Sequence, residues 1–343
     1  MKALVLQEYG RFEIQDVPAP ACPADGVLIA VRACGICGSD VHGMDGSTGR
    51  RRPPIIMGHE AAGVIAEVGS AVEGFAPGDR VTFDSTIYCG RCDFCRRGLI
   101  NLCDNRRVLG VSCEQYRRDG AFAELVAVPA RILYRLPDGL SFERAAMVEA
   151  LSIAVHAVER TRLRLGDQVV VVGAGMIGLL VVQALRARGC GRILAVDIDA
   201  DRLALARTLG ADASVPADAP DAAERILAAT GGRGADAAFE VVGVTDALAV
   251  ALGSLRKGGQ LTLIGNVSPT VDLPLQQAVT REITLNGSCA SCGEYSPCLE
   301  MISSGRVNVD ALISATAPLD QGPEWFARLY QREKGLLKVI LQP

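Results

Sequence analysis

The sequence predicts an α/β protein in which a doubly wound parallel sheet, covered by helices on both faces, is set beside a β-rich domain. Three observations carry this. A strand–helix–strand rhythm begins near residue 167, opening on the fully apolar run at 169–172. Before it, residues 1 to about 150 hold short apolar runs separated by Gly and Pro, the pattern of a β-rich fold. A length of 343 residues is also more than one ordinary core holds, which implies two domains.

In chain order, residues 27–31, 63–69 and 122–128 read as strands, and 74–81 as a turn feeding another. Residues 169–172 form a strand, 176–188 a helix and 193–197 the next strand. Further strands are expected at 237–240, 261–264 and 283–285, with 216–221 an Ala/Asp/Pro-rich loop. Such alternation implies a parallel sheet. Beyond 285 the chain leaves it: 295–303 and 323–330 read as helices, and 337–341 as a closing strand. The expected domains are therefore 1–148, 149–285 and a return segment, 286–343.

Composition narrows the function. Apolar residues make up 49% and charged residues 22%, as in a soluble globular protein. Net charge is −4 and no long basic block occurs, so neither nucleic acid nor a membrane is an expected partner. The apolar start reaches Glu8 and Tyr9 too soon for a signal peptide, and residues 169–182 are too short and glycine-broken to span a bilayer. The expected location is cytoplasmic. Twelve cysteines, four of them crowded between Cys89 and Cys103, then point to metal rather than disulfides; Cys22 and Cys190 read as packing or surface residues.

Gly173-Ala174-Gly175-Met176-Ile177-Gly178 is G-x-G-x-x-G between a strand and a helix. The first glycine permits the turn, the second admits a pyrophosphate, and the third lets helix and strand pack closely. Asp197 ends the next strand, where a carboxylate accepts bonds from a ribose and repels a 2′-phosphate; NAD is expected over NADP. Arg202, about a turn further, reads equally as a cover for ribose or adenine and as a solvated helix charge.

Cys89, Cys92, Cys95 and Cys103 give C-x2-C-x2-C-x7-C, the spacing of a closed tetrahedral zinc site that stabilises a lobe without its own core. A second set is scattered: Cys37 in Cys-Gly-Ser-Asp-Val-His, His59 and Glu60 in Gly-His-Glu, and Glu149. Singly, each reads as packing, a satisfied polar group or a surface charge. Yet two of the chain's three histidines fall within these motifs.

Together these motifs, in this order along nearly the whole chain, resemble the zinc-containing medium-chain dehydrogenases, and most their polyol branch of sorbitol (L-iditol), galactitol-phosphate and threonine dehydrogenases. The resemblance implies a GroES-like catalytic domain carrying two zincs per chain and a Rossmann domain binding NAD, with the active site in the cleft between them. It implies that Cys37, His59 and a carboxylate hold the catalytic zinc, with Glu60 and Glu149 both near it as ligands or through water. Asp40 would fix the tautomer of His59, and Ser39 and His42 would relay the substrate proton. A zinc there lowers the pKa of an alcohol oxygen, and hydride passes from the carbinol carbon to the nicotinamide. The resemblance also implies a homodimer or homotetramer, with residues 282–285 a candidate for pairing through the sheet edge.

The chain departs from sorbitol dehydrogenases at Ala290 and Ser291, where they carry Arg-Tyr, at Gly43, where they tend to carry tyrosine, and at Ala150, which replaces a proline. These changes imply a wider pocket with fewer sugar contacts. Arg50-Arg51-Arg52 reads either as a solvated basic loop or as an anion clamp for a phosphorylated substrate. The expected function is thus a zinc-dependent NAD oxidoreductase acting on a secondary alcohol, a polyol or polyol phosphate first. Threonine 3-dehydrogenase and a general secondary-alcohol dehydrogenase are the alternatives within that class. A zinc-free or non-catalytic binding protein on the same fold is the alternative outside it.

Overall fold

Lys2–Glu8 (β1) and Arg11–Asp16 (β2) form an antiparallel hairpin at the start of the chain. Next come Gly26–Gly35 (β3), the short helix Gly38–Gly43 (α1), Ile55–Ile56 (β4) and Glu60–Val68 (β5). The antiparallel register of β3 on β5 sets Gly35 opposite Glu60. That register alone brings Cys37, just past one strand, beside His59, just before the other. Arg80–Phe83 (β6), Thr86–Ile87 (β7), the one-turn helix Asp93–Arg96 (α2) and Arg107–Val108 (β8) follow. Then come Leu125–Pro129 (β9), Leu133–Arg135 (β10) and the helices Phe142–Ala146 (α3) and Val148–Glu159 (α4). The computed structural model describes residues 1–112 and 117–343.

Four consecutive valines make Gln168–Val172 (β11) a strand buried on both faces, as a central parallel strand must be. Met176–Arg188 (α5) leads to Arg192–Asp197 (β12), and Ala200–Thr208 (α6) to Ala213–Pro216 (β13). Ala222–Ala229 (α7), Ala235–Glu240 (β14), Thr245–Gly253 (α8), Leu255–Leu263 (β15), Leu275–Thr280 (α9) and Thr284–Gly287 (β16) complete the alternation. The six strands are all parallel, in the order β13-β12-β11-β14-β15-β16. Numbered within the sheet this is 3-2-1-4-5-6, the doubly wound order whose reversal beside the first strand opens a crevice for a dinucleotide. Val170, Val172, Leu194, Val196, Ala238 and Leu261 fill its core.

Tyr295–Ser303 (α10), Ile313–Pro318 (β17), Gly322–Tyr330 (α11) and Lys338–Gln342 (β18) end the chain. β18 pairs antiparallel with β3, so the tail completes a seven-stranded sheet of path β10-β6-β5-β3-β18-β17, with β9 also on β3. The chain thus divides into two compact units. One is Met1–Glu149 with Cys292–Ser304 and Val309–Pro343; the other is Ala150–Ser291 with Gly305–Asn308. Among the described residues no helix is long and apolar enough to cross a membrane.

Several elements differ from expectation. The strand foreseen at 122–128 begins at Leu125; the Phe122 backbone instead bonds Met57 and Leu4, knitting the sheet to its neighbours. The strand at 261–264 starts earlier, at Leu255, and Pro216 belongs to a strand rather than to the loop that follows it. Glu282 turns at φ 51°, so the last strand of the parallel sheet starts at Thr284.

Candidate active site and metal centres

Cys37 caps α1: its Sγ accepts the Ser39 amide at 3.4 Å and the Ser39 hydroxyl at 3.3 Å. Donor atoms of Cys37, His59 and Glu60 all lie within 4.8 Å of one another. One thiol, one imidazole and one carboxylate at that spacing suit zinc, with a position left for substrate. Nδ1 of His59 faces Oδ2 of Asp40 at 3.4 Å, and neither atom has a hydrogen-bond partner among the described residues. The carboxylate therefore addresses one ring nitrogen and leaves Nε2 as the metal-facing one. Burial, and then the Glu60 charge, push the Cys37 thiol up to about 12. Only a cation at this point would hold it as a thiolate near neutral pH.

Glu60 and Asp40 each meet a buried cation. Glu60 meets Lys338 of β18 at 2.5 Å, and the Lys338 ammonium also donates to the Ile36 carbonyl at 3.0 Å. Burial works against that ammonium, but the Glu60 carboxylate outweighs it and raises its pKa. Asp40 meets Arg51 at 2.6 Å, with side-chain exposures of 0% and 2%. Arg51 also donates to the Ser39 hydroxyl at 3.4 Å. Gly43 makes this possible, because a Cβ there would lie 2.7 Å from Cγ of Arg51. Arg51 is thus neither a solvated charge nor part of a free anion clamp. A buried aspartate needs a countercharge, and the loop supplies it inward. Arg50 and Arg52 are exposed, and the Arg52 amide donates to the Ser112 hydroxyl oxygen.

Glu149 opens α4, where the Ser85 hydroxyl donates to its Oε1 at 3.3 Å. It does not join the Cys37–His59–Glu60 set among the described residues. Burial, followed by the charges of Glu60 and Cys37 acting against that of His59, raises its carboxyl to about 8. His42 is exposed, one helical turn beyond Ser39 on α1.

Sulfurs of Cys89, Cys92, Cys95 and Cys103 also lie within 4.8 Å of one another. Backbone amides of Arg91 and Cys92 hold the Cys89 thiol down to about 6, whereas burial and the neighbouring thiols push Cys95 up to about 12. Four thiols this close cannot all ionise unaided; a dication would resolve the conflict. The helix α2 in this lobe buries none of its residues, so the lobe has little apolar packing of its own.

In the second unit Gly173 turns at φ 101°, and a Cβ at Gly178 would lie 1.8 Å from the Gly173 carbonyl oxygen. Only glycine fits there. Gly175 caps α5 with open space around its missing side chain, and Met176 and Ile177 begin the helix, whose first amides have no partners within it. Asp197 ends β12, taking the Ala174 amide on Oδ2 at 2.6 Å and the Asp199 amide on Oδ1 at 2.9 Å. It thereby ties two loops at the carboxyl ends of the strands. Asp199 caps α6, receiving the Arg202 amide at 3.1 Å, and the Arg202 guanidinium lies 3.8 Å from it, partly exposed.

Sequence motifs therefore pointed to the donor residues, but not to Arg51, Lys338 or Ser85 as their supports. A lone lysine inside the apolar strand 337–341 was the one available signal for a buried ion pair.

Residues 23–138 match the family described as alcohol dehydrogenase GroES-like domain, and residues 177–304 match zinc-binding dehydrogenase. Sorbitol dehydrogenase of Bacillus subtilis is 36% identical over 347 residues, covering 100% of this chain and 97% of that one. D-arabitol-phosphate dehydrogenase of Enterococcus avium is 34% identical, covering 97% and 94%. A solved zinc-binding dehydrogenase from Sinorhizobium meliloti, bound to NADP, superposes with a TM-score of 0.92 at 32% identity, covering 100% and 99%. With the donor clusters and the glycine-rich turn in place on this fold, the chain belongs to the zinc-binding dehydrogenases of the alcohol dehydrogenase family.

Proposed function

We propose that this enzyme oxidises a secondary alcohol, first of all a polyol, with NAD, its first unit serving as catalytic domain and its second as cofactor domain. One observation carries the reading: Cys37, His59 and Glu60 converge within 4.8 Å, with Asp40 behind His59. A zinc held there supplies the Lewis acidity that lets an alcohol release its proton near neutral pH. Ser39, on the same turn as Cys37, accepts that proton, and the exposed His42 hands it to solvent. A nicotinamide bound at the glycine-rich turn would supply the hydride acceptor, so that the alcohol would leave as a ketone with NADH and a proton as the other products. Arg51 and Lys338 hold the Asp40 and Glu60 carboxylates in place while this happens. Glu149 stands near enough to His59 and Cys37 to feel their charge, and serves as an alternating ligand or a proton store.

Asp197 at the end of β12 supports NAD over NADP, because a 2′-phosphate would meet its carboxylate. Arg202 borders the same loop. Commitment of the buried Arg51 to Asp40 favours unphosphorylated polyols, since its guanidinium is not available to a substrate phosphate. The four-cysteine lobe holds a second, structural zinc, and eleven free cysteines among the described residues suit a reducing cytoplasm. Assembly to a homodimer or homotetramer would use β16, the edge strand of the parallel sheet, with Leu285 exposed on it.

The test is NADH formation by the zinc-loaded enzyme with sorbitol, iditol, xylitol, arabitol, arabitol phosphate, threonine and 2-butanol. Turnover with free polyols above their phosphates is expected, and the same panel with NADP should run slower. A fully metal-loaded enzyme that reduces neither cofactor with any of these alcohols would overturn the reading.

A further inference from the structure

The second unit carries another concavity, away from the glycine-rich turn. It encloses about 760 Å³ and is lined by Arg160, Arg162, Arg164, Arg233 and Arg256, against the carboxylates of Asp167 and Asp236. It lies where β11 and β14 begin, at Gln168 and Ala235. The dinucleotide turn follows the other end of β11, roughly 17 Å away for five residues at ~3.3 Å each. The volume is within the range of small-molecule sites, and the concavity is open to solvent along its exposed arginines.

Its charges are arranged, not merely crowded. Asp236 is 8% exposed and receives Arg233 at 3.0 Å and Arg256 at 2.7 Å, so one buried carboxylate fixes two guanidinium groups on the wall. Its second oxygen also takes the Gln168 amide at 2.9 Å. Arg160 is anchored by the Gly287 carbonyl at 2.6 Å. Arg162 and Arg164 are different: among the described residues their guanidinium groups have no partner, and both are exposed. The Asp167 carboxylate is engaged by the Arg164 amide at 2.8 Å. Five positive groups thus face two negative ones, and two of the five are uncommitted.

We infer that this basin binds a small oligophosphate, either an inorganic chain or the phosphate tail of a nucleotide, at a site separate from the dinucleotide turn. Guanidinium groups match phosphate oxygens in pairs, and groups already held in place lose little freedom on binding. A single carboxylate ligand would not balance the excess charge. A chain of two or three phosphates would.

The experiment is calorimetric titration of sodium tripolyphosphate into zinc-loaded enzyme saturated with NADH, at low ionic strength, with ATP in a second arm. One site per chain is expected. Arg162→Ala with Arg164→Ala should weaken it at least about tenfold, since two charge-assisted contacts are lost. These side chains hold nothing else, so the double variant should fold and turn over alcohol as the parent does. Arg11→Ala with Arg97→Ala removes equal charge elsewhere and should leave binding unchanged. ATP binding more tightly than tripolyphosphate would assign a nucleotide; equal affinity would assign the phosphate chain alone. No binding, binding that survives the Arg162/Arg164 change, equal loss in the Arg11/Arg97 control, or displacement by NADH would each overturn the inference. None of these outcomes depends on which alcohol the enzyme oxidises.

Discussion

Arg51 carries its guanidinium on a side chain only 2% exposed. Arginine is seldom fully buried unless paired, and here the pair is Asp40, which in turn faces His59. Removing one member of a buried ion pair leaves the other uncompensated, at about 3–5 kcal/mol. Arg51→Met should therefore lower the unfolding free energy in urea by about that amount and speed zinc release to a chelator. Arg51→Lys should recover part of both. A methionine variant within about 0.5 kcal/mol of the parent would show that Asp40 does not depend on Arg51. Glu149 gives a pH signature. Its folded-state carboxyl lies near 8 against an ordinary 4.5, chiefly through burial, so the folded zinc-free protein holds that proton more tightly than the unfolded chain does. The resulting stability is complete below about pH 4.5 and is lost as pH rises through 8, at up to about 1.4 kcal/mol per pH unit. Urea melts of metal-free protein from pH 5 to 8 should show this decline, and Glu149→Gln should flatten it. Parallel curves for the two proteins would remove Glu149 as its source.

At the scale of elements, what was legible is what carries local punctuation. The bounds 176–188 match α5 because Gly175 caps one end and Gly189, at φ 89°, terminates the other. The strands β11 and β12 announce themselves by unbroken apolar runs buried on both faces. By contrast, β13 is Ala-Ser-Val-Pro with only Val215 buried, and β17, Ile-Ser-Ala-Thr-Ala-Pro, alternates apolar with polar but mostly on small side chains; both hold their places by pairing with a neighbouring strand. The donor residues of the site were legible for a similar reason, since Cys-Gly-Ser-Asp-Val-His and Gly-His-Glu are short and contiguous. Their counter-ions were not. Lys338 reaches Glu60 only because β18 pairs with β3, and Arg51 reaches Asp40 only because Gly43 has no side chain. Such contacts are tertiary facts, 278 residues apart in one case. The same register argument explains the site itself: β3 and β5 end and begin side by side, so two distant motifs meet without any loop having to find its own way.

For the molecule as a whole, the two candidate metal centres should come apart in order. Cys37, His59 and Glu60 sit on the ends of strands whose sheet is packed by Val27, Ile29, Val31, Ala61 and Ile65. That core does not need an ion to stay folded, and a three-donor site with an open position exchanges with chelators readily. The four-cysteine lobe is the reverse case: its four thiols would surround an ion, and its helix buries none of its residues, so metal would take the place of a core. Graded chelation at neutral pH should therefore take zinc from two per chain to one, abolishing alcohol oxidation while the far-ultraviolet circular dichroism is unchanged. Added zinc should restore activity. Harsher chelation should remove the second ion and open the segment from Cys89 to Cys103 to proteolysis, leaving the parallel sheet of the second unit protected. Simultaneous loss of both ions with global unfolding, or full activity at one zinc per chain, would mean that the centres do not divide the work between chemistry and folding as their surroundings imply.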